Sequence, residues 1–141
     1  MSDLGAGGTI GARAVAALKA ISGLGVYDAP PVQAVAPYAV VETGPETDWG
    51  HKTGAGRELR LAVTLWDRGE RPIRLRALTR AAEAALEALE DGADGEEGGG
   101  WQLVSLHFLR DRAVPPRAPA PQALTAALIE YRARLLAVGE G

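Results

Sequence analysis

The segment RELRLAVTLWDR, residues 57–68, constrains this chain more than any other. Leu59, Leu61, Val63 and Leu65 fall on one side of an extended chain; Glu58, Arg60, Ala62, Thr64 and Trp66 fall on the other. Successive side chains of a strand point to opposite faces, so this period of two predicts a half-buried strand over 58–66. Such a strand needs a paired neighbour and a cover for its apolar side. YAVVET, residues 38–43, is a β-branched run and supplies the neighbour. The two are expected to form an antiparallel hairpin around a long tip. That tip, TDWGHKTGAGRE over 47–58, packs acids, an indole, an imidazole, an amine and three glycines into a short stretch.

The remaining pattern places helices around the hairpin. TIGARAVAALKAIS, 9–22, has Ile10, Val15, Leu18 and Ile21 near helical spacing, with Thr9 as the expected N-cap. Residues 1–8 read as a loose, glycine-rich start, and 26–37, with three prolines, as an extended connector. Residues 72–90 predict the strongest helix, with Pro72 in its first turn and Leu75, Leu78, Ala82, Leu86 and Leu89 as its apolar stripe. Glycines and like charges over 91–100 predict a mobile acidic loop. WQLVSLHFLR, 101–110, predicts a third strand, with Val104, Leu106 and Phe108 on one side and Ser105 and His107 on the other. Residues 123–137 fit both periods. Leu124, Leu128, Tyr131, Leu135 and Val138 suit a helix, and Ala127, Ile129, Tyr131, Ala133 and Leu135 suit a strand. Alanine and leucine dominate there, so propensity alone favours helix.

The 141 residues suit a single domain, 1–141, that can bury a core without disulfides or metal. Aromatics are 5% of the chain, so the core is built from Ala, Leu and Val. A thin core of this kind fits a subunit that completes its burial in an assembly, and equally a genome that favours alanine. The absence of cysteine removes thiolate metal sites and thiol nucleophiles. A net charge of −3 argues against free nucleic acid or an anionic membrane as the main partner. The first residues lack the pattern of a signal peptide, and no apolar run approaches the ~18–20 residues that span a bilayer.

Motif by motif, catalysis and cofactors find little support. GAGGTIG, 5–11, has Ile10 where a dinucleotide fingerprint needs glycine, and no strand precedes it. GHKTGAG has His51 before Lys52 and leads into a strand, unlike a phosphate loop. Asp48 and His51 could serve acid–base work in a small hydrolase, but no nucleophile elbow accompanies them. Two histidines far apart make a poor metal site. No catalytic, cofactor-binding or metal residue is expected. Asp48, Trp49, His51, Lys52, Arg57, Arg60 and Trp66 are instead candidate interface residues, because tryptophan and arginine concentrate binding energy between proteins.

The order and spacing of VYD (26–28), PYAVVE (37–42), TDWGHKTG (47–54), a strand ending LWDR and the later LVSLHF carry a resemblance. Together they resemble the tail-completion, or tail-terminator, family of long-tailed phages and gene transfer agents. The resemblance implies an α+β fold: a mainly antiparallel sheet of about four strands packed by two helices, in the order α-β-β-α-β-β. It therefore implies a strand for 123–137. It implies a structural virion protein of the tail or neck, assembled in the bacterial cytoplasm. Such a protein forms a ring, usually a hexamer, on the tail tube, stops its polymerisation and offers the surface for head–tail joining. The implied partners are other copies of the chain, the tail-tube protein and a head–tail connector protein, with DNA only as cargo through the lumen and no membrane. The acidic stretch 91–100 departs from the family pattern as an insertion. A generic protein-interaction module is the reading that remains without the resemblance.

Overall fold

The computed structural model describes residues 5–50, 54–69, 73–90, 100–114 and 124–138. Its elements run α1 (Gly5–Lys19), β1 (Gly25–Tyr27), β2 (Tyr38–Thr43), β3 (Thr47–Asp48), β4 (Gly56–Arg68), α2 (Ile73–Glu87), β5 (Trp101–Val114) and β6 (Leu124–Ala137). The fold is α+β, as expected, but the sheet has six strands and is mixed. Its order is β1-β2-β4-β6-β5, and β3 also pairs with β4. The two extra strands are short. β1 comes from the start of the proline connector and runs parallel to β2, pairing Val26 with Ala39. A three-residue strand is too short to leave a period in the sequence. β3 continues the lane of β2 along β4 after the chain steps out at Gly44–Glu46, with the Gly44 N–H still donating to the Arg60 carbonyl at 2.8 Å.

β4 is the central strand. It pairs antiparallel with β2 and β3 on one side and with β6 on the other, Val63 facing Val41 and Ile129. The period read in the sequence holds: Leu59, Leu61, Val63 and Leu65 are all buried. β6 settles the ambiguous segment as strand. Paired along its whole length between β4 and β5, it buries Ile129, Tyr131, Ala133 and Leu135. Alanine's helical preference is a few tenths of a kcal/mol per residue over its rivals, and two flanking ladders outweigh it.

Both helices touch each other and pack on this same side of the sheet. α1 buries Ala6, Ile10, Ala14 and Leu18, a strict four-residue spacing, and starts earlier than expected, so Gly5–Gly8 are helical rather than loose. Thr9 is not the N-cap. It lies inside the helix and its hydroxyl donates to the Gly5 carbonyl at 2.7 Å. The early start has a partner: the Gly7 N–H donates to Glu46 Oε2 at 2.9 Å, a carboxylate at a helix N-terminus. A Cβ on Gly7 would lie 2.9 Å from that oxygen, so the glycine permits the approach. α2 buries Leu75, Thr79, Ala82 and Leu86, with Leu78 at the margin; it ends at Glu87, short of the expected residue 90, and Leu89 packs against the core from the turn beyond it.

β5 departs from simple alternation. Register shifts at Leu103/Ser105 and Phe108/Arg110 insert extra residues. Leu103 and Leu106 are therefore the buried pair, while Val104 sits in the first bulge, 43% exposed. Phe108 does share the side of Leu106, yet it is 40% exposed. Ser105 and His107 lie opposite Arg134 and Arg132, on the other side.

Candidate functional site

Because the helices share one side of the sheet, no described helix covers the other. Alternation on β4 and β6 sets what it carries. Across the strands, Glu58 faces Arg134 and Ser105 follows; Arg60 faces Arg132 and then His107; Ala62 lies between Glu42 and Glu130; Thr64 lies between Val40 and Leu128; Trp66 lies between Tyr38 and Ala126. One end of this open face is thus charged and the other aromatic.

At the aromatic end, Trp66 stacks on Tyr38 with centroids 6.3 Å apart, and Tyr27 meets Tyr38 edge-on at 6.0 Å. A groove of about 400 Å³ lies there, lined among others by Pro30, Pro31, Val40, Trp66 and Leu128. At the charged end, Arg134 donates from Nε to Glu58 Oε1 at 2.8 Å, and its guanidinium carbon lies 5.3 Å from the centre of the Trp49 ring. Trp49 is therefore half-buried, held by a cation–π contact worth about 0.5–1 kcal/mol at such a site. The Trp49 backbone N–H donates to the Gly56 carbonyl at 2.9 Å, pairing the two arms of the hairpin. A Cβ on Gly56 would stand 2.5 Å from the Trp49 carbonyl oxygen and 2.9 Å from Leu136 Cδ2, so only glycine lets these backbones approach.

The candidate interface residues are split by the fold. Trp49, Arg60 and Trp66 relate to the open face, Arg60 exposed and Trp66 half-buried. Arg57 and Asp48 face each other across β3 and β4 and belong to the helix side, since Arg57 pairs in register with buried Leu135. Arg57 bridges Glu46 at 3.5 Å and Asp48 at 3.8 Å, linking the hairpin to the carboxylate that meets α1. Asp48 is exposed and engaged with this cation. His51 and Lys52 lie outside the described residues, as do 1–4 and 91–99. Among the described residues, no three His, Cys, Asp or Glu side chains gather as metal ligands, and no helix is long and apolar enough to cross a membrane. A groove of about 850 Å³ between α1, the proline connector and β2 holds none of the candidate residues.

One structurally decisive residue escaped the sequence reading. Asp67, only 3% exposed, accepts Arg74 Nε on Oδ2 at 2.8 Å and Arg74 Nη2 on Oδ1 at 2.6 Å, and also the Arg68 N–H at 2.7 Å. The fork from Arg74 holds the Asp67 carboxyl below its usual range, although burial opposes this. It ties the end of β4 to the first turn of α2. The signal available was an acid breaking the apolar end of a strand, seven residues before an arginine in a helical first turn.

A family model described as tail completion protein gp17 matches residues 12–135. The chain belongs to this family. No curated protein matches the sequence. Among solved structures, a chain in the virion of a native gene transfer agent particle is similar, with 31% identity and a TM-score of 0.51, covering 88% of this chain and 87% of that one. Membership makes the protein a structural component of the virion tail. The matched residues run from within α1 to near the end of β6, so the open face and the hairpin both lie inside the family domain.

Proposed function

We propose that the protein closes into a ring, of six copies, on the last layer of the tail tube, ending its polymerisation and presenting the opposite surface to the head. The observation that carries this reading is the family match across residues 12–135. Two structural features support it. No described helix covers one face of the sheet, which carries aromatic and arginine side chains of the kind enriched where proteins meet. Trp49, Arg134 and Glu58 tie the described base of the hairpin to β6, which fixes the register of Asp48 and Trp49. In a ring each subunit takes part in two heterologous interfaces, and closure adds one further contact without adding a copy. The tail-tube protein and a head–tail connector protein are the other partners in this reading, with DNA passing through the lumen.

The test is electron microscopy of particles whose only copy of this protein is a Trp49→Ala, Lys52→Glu variant, with sedimentation of the purified chain alongside. Over-long or headless tails are the expected result, with a melting temperature lowered by no more than the few degrees that loss of the Trp49–Arg134 contact accounts for. Normal particles from the double variant, together with a hydrolytic activity that disappears in His51→Ala, would replace the ring reading by the enzymatic one.

A further inference from the structure

The first turn of α1 is a poor helix by composition. Gly5, Gly7 and Gly8 fill three of its four positions, and glycine is the weakest helix former after proline. The turn holds no acidic residue, and the first N–H groups of a helix have no partner within it. The Thr9 hydroxyl caps none of them, since it donates back to the Gly5 carbonyl. The tie for this turn comes from 39 positions along the chain, where Glu46 Oε2 accepts the N–H of buried Gly7 at 2.9 Å. The contact is close: a Cβ on Gly7 would stand 2.9 Å from that oxygen and 3.4 Å from Thr43 Oγ1, and one on Gly11 3.6 Å from Thr43 Cγ2. The start of α1 thus lies along the step by which the chain leaves β2.

Glu46 is at the same time the joint of the hairpin. It stands between the Gly44 N–H, which donates to the Arg60 carbonyl, and β3, where Thr47 faces Glu58 and Asp48 faces Arg57. Its other oxygen, Oε1, lies 3.5 Å from Arg57 Nε, and Arg57 Nη1 lies 3.8 Å from Asp48 Oδ1. One carboxylate therefore has one oxygen on α1 and the other on the base of the hairpin. β3 is two residues long and both are exposed, so burial does little to hold it. Two weakly held segments share one contact.

We infer that Glu46 clasps the start of α1 to the base of the hairpin, so that the two segments open and close as one unit and the hairpin is held ready for docking. Glu46, Gly7 and Arg57 are then positioning residues for the hairpin. The clasp is a property of the single chain; its use in docking rests on the function proposed above. Coupling is reciprocal, so a partner that fixes the hairpin also protects the first turn of α1. The exposed ion pair with Arg57 is the weaker half of the tie, and the charge-assisted hydrogen bond from Gly7 the stronger.

Amide hydrogen exchange of the purified full-length chain, read by mass spectrometry on peptides, tests the clasp. Glu46→Ala is expected to speed exchange about fivefold, the factor for losing one helix cap, both in residues 5–11 and in the hairpin arms 44–49 and 56–58. Core peptides over 61–65 and 129–135 should keep wild-type rates. Gly7→Ala approaches the contact from the other side. Helix propensity alone predicts slower exchange in α1 and no change in the hairpin. The clasp predicts faster exchange in the hairpin, because the new methyl group takes the place of a carboxylate that its side chain can swing away. In the double variant the hairpin should exchange no faster than in the faster single variant, since both changes remove the same contact. Glu46→Ala that speeds neither segment, only one of them, or the core to the same degree overturns the clasp, as does a hairpin that Gly7→Ala leaves at the wild-type rate. Assembled tails separate the clasp from its use. Slower exchange over 5–11 in tails than in the free chain supports docking through the hairpin. Unchanged exchange there, with the clasp present in the free chain, refutes hairpin docking and leaves the clasp standing.

Discussion

At the residue scale, the Asp67–Arg74 fork predicts an asymmetry. Asp67→Ala removes charge-assisted hydrogen bonds and leaves Arg74 in water, at a cost of about 2 kcal/mol. Arg74→Ala leaves a buried carboxylate with the Arg68 N–H but no cation, and should lower the denaturation midpoint further. The pH dependence follows in two steps of opposite sign. Asp67 has a lowered native pKa, so its contribution is complete above the usual aspartate value of 3.8 and is lost as pH falls through the lowered one. Glu83 has a native pKa raised chiefly by desolvation. Its native form takes up a proton before the unfolded chain does, so acidification from neutral pH first adds stability, until the usual glutamate value of 4.5 is passed. Melting temperature measured against pH should therefore rise slightly and then fall. Glu83→Gln should abolish the rise, and Asp67→Asn should shrink the fall. An unchanged profile in both variants would refute these assignments.

At the element scale, β4 carries the fold because it buries one side and pairs on both edges. Val63→Asp, at a fully buried position, should unfold the domain, since an unpaired charge there costs several kcal/mol. Val63→Ile keeps the site apolar and should cost under about 1.5 kcal/mol. A soluble aspartate variant that melts like the wild type would contradict the packing. At the hairpin, Gly56→Ala must push back the Trp49 carbonyl, and should cost about 1–3 kcal/mol by overpacking. The change should also free Trp49 from Arg134, seen as a shift of tryptophan fluorescence towards that of exposed indole. β5 shows where element-level reading stops. Its alternating sequence gives no sign of the two bulges, because a bulge is set by how a strand must bend against its neighbour. The strand's existence was legible, but not that Leu103 rather than Val104 would be buried.

At the scale of the whole molecule, the sheet is two-sided. One side is closed by helices and no described helix covers the other, so trimming the aromatic end should affect partners more than stability. Trp66→Ala should leave a folded chain while weakening incorporation into tails, measured as the fraction of particles that retain the protein; full retention would remove Trp66 from the interface. The sequence alone determined the β4 face, the α2 stripe and the β2 hairpin partner, because each rests on periods set by local backbone geometry. It also carried the family resemblance, through motifs whose order matched together. Tertiary structure alone decided the rest. Residues 124–137 became strand because ladders on both edges outweigh a small helical preference, and Gly5–Gly8 became helix with Glu46, distant in sequence, accepting the Gly7 N–H. The candidate interface residues share one stretch of chain, yet strand alternation sends Arg57 to the helix side and Arg60 to the open one. Which charges find partners depends on strands far apart in sequence, and that proximity exists only once the sheet has formed.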